Sequence, residues 1–219
     1  MKVIVSRTGD WGPDDRRNIL ARMCEDFVDS IAASPELSVP ESYPAVRLVL
    51  SGAAEAHKWG VEADSIGFFA VMSPRQYDDE DVDEENPWFD VNESLEVHLN
   101  MDVAAGLFEH VSRDDMRIEL EAWLVTSPHE LLHVADWMKA TEGRTPIEVF
   151  DAGKGEFEVA AVLKKIEKTY ADAGLDIEDE IEMTGLDITR RVTNEGHSLE
   201  TYADDLAALD PPRNIAVCH

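Results

Sequence analysis

The stretch Ser127-Pro128-His129-Glu130-Leu131-Leu132-His133-Val134-Ala135-Asp136-Trp137 decides how the rest of this 219-residue chain is read. Helical periodicity predicts a break at Ser127-Pro128 and a helix over 129–139. On that helix His129 and His133, four residues apart, project from one face about one turn, roughly 5.4 Å, apart. Two imidazoles so spaced reach one tetrahedral zinc ion, and Glu130, turned about 100° from His129, comes near the open metal position without being a ligand. With seven histidines in the chain, on the order of 0.02 accidental occurrences of the spacing are expected. A second reading of the same residues stays open. Ser127-x-x-Glu130 is also a capping box with Pro128 at the first helical position, and on that reading the histidines are ordinary surface or packing residues.

Working outward, residues 1–6 (MKVIVS), 46–50 (VRLVL) and 66–72 (IGFFAVM) read as strands, and 53–59 as a short helix. Residues 95–101 alternate, with Leu95, Val97, Leu99 and Met101 on one face and Glu96, His98 and Asn100 on the other. That is the pattern of a half-buried strand, and it suits a sheet edge. A turn at 10–13 starts a helix with Pro13 in its first turn and the stripe Leu20, Cys24, Phe27 and Ile31; further helices are expected from 113 through Trp123, over 156–170 and over 198–209. Strands come early and helices late. The expectation is an α+β chain forming one domain over 1–219, strand-rich over 1–111 with an acidic loop at 77–90, and helical over 112–219.

Composition narrows the function classes. There are 19 Lys and Arg against 47 Asp and Glu, a formal charge of −28, so nucleic acid and anionic lipid are excluded as expected partners. The acidic balance suits concentrated salt, such as that of a high-salt organism, or a virus- or phage-encoded product. No signal peptide or apolar span is legible, so a cytoplasmic location is expected. Cys24 and Cys218 read as free thiols, and 78–85 (DDEDVDEE) as a solvated loop lacking the glycine and terminal glutamate of a calcium loop.

With strands preceding a His-Glu-x-x-His helix, the chain resembles the zincin metallopeptidases, in the glutamate-ligand branch. The resemblance implies a zincin-like fold: a small mixed sheet of about four strands packed with the His-Glu-x-x-His helix and further C-terminal helices, with an edge strand that holds substrate extended. It also implies Zn2+ as cofactor, His129 and His133 as ligands, and peptide-bond hydrolysis of a peptide or protein substrate by metal-activated water with Glu130 as general base. In that branch the third ligand lies on a later helix, often within Glu-x-x-Ala-Asp; Glu200-Thr201-Tyr202-Ala203-Asp204 matches, which makes Glu200 the leading third ligand and Asp204 an orienting group. Glu156 is the rival, and Asp136 is disfavoured by its distance along the axis from His129. His197 and Tyr202 are the candidate donors to a developing oxyanion. The metzincin continuation is absent, since Asp136 and Lys139 stand where that group has glycine and histidine. His57, His98 and His219 read as non-ligands, and Trp123 and Trp137 as core anchors. The competing class is a catalytically inactive zincin-like or acidic structural protein that binds a basic partner or mimics nucleic acid.

Overall fold

The computed structural model describes residues 1–59, 61–62, 64–74, 89–153, 155–195 and 199–209. The fold is mixed α+β. Four strands, β1 (Val3–Arg7), β2 (Val46–Ser51), β3 (Gly67–Pro74) and β4 (Phe89–Asn100), form one open sheet in the order β1-β2-β4-β3. β1, β2 and β4 are parallel, with Val5 opposite Leu48 and Leu48 opposite Val97. β3 runs antiparallel to β4, with Phe69 opposite Val97 and an irregularity between Ala70 and Met72.

The helices are α1 (Arg16–Ala32), α2 (Ala53–Lys58), α3 (Met101–Leu107), α4 (Met116–Leu124), α5 (Thr126–Thr141), α6 (Pro146–Ala152), α7 (Glu156–Asp172), α8 (Ile177–Glu195) and α9 (Leu199–Leu209). α4, α7, α8 and α9 pack against α1 and α5, which cover one face of the sheet. There Leu48, Leu50, Leu95, Val97 and Leu99 meet the expected α1 stripe of Leu20, Cys24, Phe27 and Ile31, together with Leu131, Val134, Trp137 and Met138 of α5. Truncating one of these fully buried leucines to Ala costs about 2–5 kcal/mol, so this face anchors α5 rigidly to the sheet. Trp137 is an anchor as expected; its indole N–H donates to the Arg144 carbonyl at 2.8 Å. Cys24 lies in the same core, where burial pushes its thiol up to about 12 and leaves it unreactive.

Three local expectations are corrected. α1 begins at Arg16 and is capped by Asp15, whose carboxylate accepts from Arg17 N–H at 2.9 Å, so Pro13 lies before the helix rather than in its first turn. The break before the His-Glu-x-x-His helix is not at Ser127-Pro128: α4 and α5 are separated by Val125 alone, and Pro128 fits in the first turn, where its missing N–H is not needed. Ser127 is therefore buried inside α5 and caps nothing; the capping box of this region is Thr145 with Glu148, one helix later. Finally, the alternating strand is interior. β4 lies between β2 and β3, and Glu96, His98 and Asn100 are buried beneath a small second cluster of Ala56, Phe68 and Ala70 flanked by Trp59 and Val61. The edge beside α5 is β3.

Cys218, His219 and the loop 78–85 lie outside the described residues. Among the described residues no helix is long and apolar enough to cross a membrane.

Candidate metal centre

The i,i+4 spacing on α5 does what helix geometry requires: the His129 and His133 ring centroids lie 5.0 Å apart, and the two Nε2 atoms are 3.3 Å apart. A third donor faces them from α8. Glu178 Oε2 is 3.6 Å from His129 Nε2 and 3.8 Å from His133 Nε2. A tetrahedral zinc with bonds near 2.0–2.2 Å holds its donors about 3.3–3.5 Å apart, so the three atoms stand within a few tenths of an ångström of that spacing. Among the described residues, His129, His133 and Glu178 are the one His/Cys/Asp/Glu group so arranged.

Glu178 arrives there through two local devices. Asp176 caps α8, its carboxylate accepting from the N–H of Glu178 at 3.0 Å and of Asp179 at 3.2 Å, which fixes where the helix starts. Two turns on, Gly185 packs on α5: a Cβ there would already stand 3.4 Å from the His129 amide nitrogen. Ile181 and Ile188 on either side of Gly185 are buried in the core, and this seating of α8 brings Glu178 to the imidazoles.

Charge and burial favour the ligand forms. Burial lowers the His129 pKa, opposed by the charges of Glu178 and Glu182. For His133, burial and then the neighbouring His129 act downward, against Glu178 and Asp136. Both rings are thus biased to the neutral state that donates a lone pair. Glu130 is 9% exposed; burial and the Glu178 charge push its carboxyl up to about 8, with the Phe69 N–H pulling the other way. The carboxyl lies between α5 and β3 because residue 67 is glycine: a Cβ at Gly67 would come within 2.8 Å of Thr126 Cγ2 and 3.1 Å of Glu130 Cγ.

An open cleft of about 440 Å³ runs past these groups, lined by Gly67, Phe68, Phe69 and Val71 of β3, by His129, Glu130, His133 and Trp137, and by Leu163, Ile166, Glu167, Ile177 and Glu178. A second hollow of about 550 Å³ adjoins it on the other side of Glu130.

The other residues singled out from the sequence lie elsewhere. Glu200 is exposed on α9 with its carboxylate 3.1 Å from Arg117 Nε, and Asp204 pairs with Arg113 at 2.7 Å. The third position beside the imidazoles belongs instead to Glu178, on a helix that the sequence reading did not include. Glu156 sits in the first turn of α7, outside the three-donor group. Asp136 accepts from the Tyr170 hydroxyl at 2.5 Å and from Lys139 at 3.3 Å. Tyr202 is buried against α1, its ring 6.5 Å from Phe27 and its hydroxyl bonded to Asp26, so it is not positioned as an oxyanion donor. His197 lies outside the described residues. A signal for Glu178 did exist: Ile177, Ile181, Ile188 and Val192 form a helical stripe beginning just after an N-capping Asp176.

Compared with models of known families, with curated proteins and with solved structures, the chain matches none.

Proposed function

We propose that the chain hydrolyses peptide bonds with one zinc ion held by His129, His133 and Glu178. The observation that carries this reading is the convergence of three lone-pair atoms at 3.3–3.8 Å on an open cleft, with the buried Glu130 carboxyl beside them. Zinc in such a site polarises a carbonyl oxygen and lowers the pKa of a bound water. The rest of the chemistry belongs to the chain. Glu130, lying next to the ligands without being one, accepts the proton of the attacking water; as the C–N bond breaks, it returns that proton to the leaving nitrogen. Burial raises its pKa without a metal, and a dication beside it would pull it back toward the ionised form that accepts a proton. β3 pairs with β4 on one side, and its other edge offers main-chain donors and acceptors to an extended substrate above the cleft.

The test is zinc content and peptide turnover of wild type beside Glu130→Gln. One zinc per chain in both, with kcat lowered about 10²–10⁴-fold in the variant, supports the proposal. A metal-free wild type that is inert to peptides yet binds a basic protein in a salt-sensitive way favours the acidic binding protein instead.

A further inference from the structure

β3 meets the cleft with its main chain as well as its side chains. Asn100 N–H donates to the Ile66 carbonyl at 2.7 Å, one step outside the Gly67–Leu99 pairing. Bonded and non-bonded pairs alternate along an antiparallel ladder, so Phe68 exchanges its main-chain bonds with His98. The N–H and C=O groups of Gly67 and Phe69 then point away from β4, to the free edge of the sheet. Glu130 stands against this edge. The Cβ that Gly67 lacks would lie 3.1 Å from the Glu130 Cγ, all three residues line the cleft, and the Phe69 N–H donates to the Glu130 carboxyl. Phe69 is itself fixed: its ring packs edge-on against Trp137, 5.9 Å between centroids, two turns beyond Glu130 on α5. One strand residue thus meets the same helix twice, through its ring and through its amide.

A carboxyl that is 9% exposed finds little water to bond, and the last torsion of a glutamate is soft and roughly two-fold. A main-chain donor on a paired strand answers both needs, because a charge-assisted bond is strong and the donor cannot turn away. We propose that the Phe69 N–H is a positioning group for Glu130: it holds one carboxyl oxygen and leaves the other turned to His129, His133 and Glu178. The free oxygen is the one that takes the proton of the attacking water, already oriented before the water arrives. The base is thereby fastened to the strand that carries the substrate, so a shift of β3 moves both together. The inference rests on the hydrolytic reading for what the carboxyl does, but its core, an amide that holds that carboxyl, is measurable without turnover.

The first measurement is amide hydrogen exchange, read by NMR in the presence of zinc on the full chain labelled with nitrogen-15 in phenylalanine. Phe68 is expected to exchange slowly through the ladder and Phe69 through Glu130. Glu130→Ala should speed Phe69 about 100-fold or more and leave Phe68 within about threefold, while Glu130→Gln, whose carbonyl oxygen still accepts, should keep most of the protection. A Phe69 rate unchanged by Glu130→Ala, or one that rises only together with Phe68, overturns the inference. The second measurement is peptide turnover. Phe69→Pro removes the donor without taking a ladder bond, as an edge strand tolerates, and Phe69→Ala removes the ring alone. The expected kcat of Phe69→Pro is about tenfold or more below that of Phe69→Ala, with KM and zinc content within about twofold. In a Glu130→Ala background that gap should vanish. A gap that persists there, or that falls on KM, assigns the N–H to the substrate and overturns the inference. Protection that depends on Glu130 in a protein inert to peptides sinks only the peptidase reading.

Discussion

Two places among the described residues bring histidine and glutamate together, and they differ in what surrounds them. On α5 the His129 and His133 rings are partly exposed, and with Glu178, whose side chain is 65% exposed, they aim three lone pairs at one point on an open cleft. On β4, His98 is 3% exposed and stacked on Phe68, with ring centroids 4.9 Å apart and planes 4° from parallel. Its Nε2 faces the Glu96 carboxylate at 3.4 Å, and Arg47 donates to the other oxygen of that carboxylate at 2.5 Å. The first grouping shares one focus and has an entrance; the second is closed by aromatic surface and its carboxylate is already paired with Arg47. Residue type does not make a site: convergence and access do.

The contrast is most sharply tested by His133→Ala, which should abolish zinc retention in elemental analysis and cut peptide turnover by about 10³-fold or more while the circular dichroism spectrum stays helical. Retained zinc at one per chain would erase the distinction. Next in size, Glu178→Ala should weaken zinc binding about 100-fold in a competition titration, whereas Glu200→Ala, whose carboxylate sits on Arg117, should change it less than twofold. His98→Ala should leave zinc content and turnover intact but cost about 2–3 kcal/mol in denaturant unfolding, because it removes a buried ring from its stack on Phe68.

The smallest effect is one of pH. His98 first, then Ser94 and Arg47, hold the Glu96 carboxyl down to about 2 against the opposing effect of burial. A carboxyl depressed by folding supports the fold fully above its unfolded value, about 4.5, and that support fades as pH falls through about 2. Wild type should therefore lose stability over that window, and Glu96→Gln should flatten the loss; thermal melts at pH 6, 4 and 3 measure it. An identical acid dependence in the variant would remove Glu96 from the account.

Much of the architecture was readable from local pattern. β2, α1 and the core face of β4 follow from apolar periodicity, which reports burial directly, and the pair of imidazoles follows from the helical repeat. What escaped depends on what packs where. The polar face of β4 read as solvent-facing because alternation says which residues share a side, not what lies above them. The Ser127 capping box failed because α4 runs almost straight into α5. Glu178 went unseen because, in a run of four acidic residues ending at Glu180 but for Ile177, it resembles any solvated charge; only the packing of α8 beside α5 gives it a role.

A zinc ion at the proposed site would be a rivet as well as a reagent. It would join a rod buried against the sheet to the first turn of one added late in the chain, whose later turns Ile181, Ile188 and Val192 already seat in the core. Stripped of its cation, the molecule would keep that packing and loosen only where α8 begins, so chelation should open a cleavage point near Glu178 to an added protease.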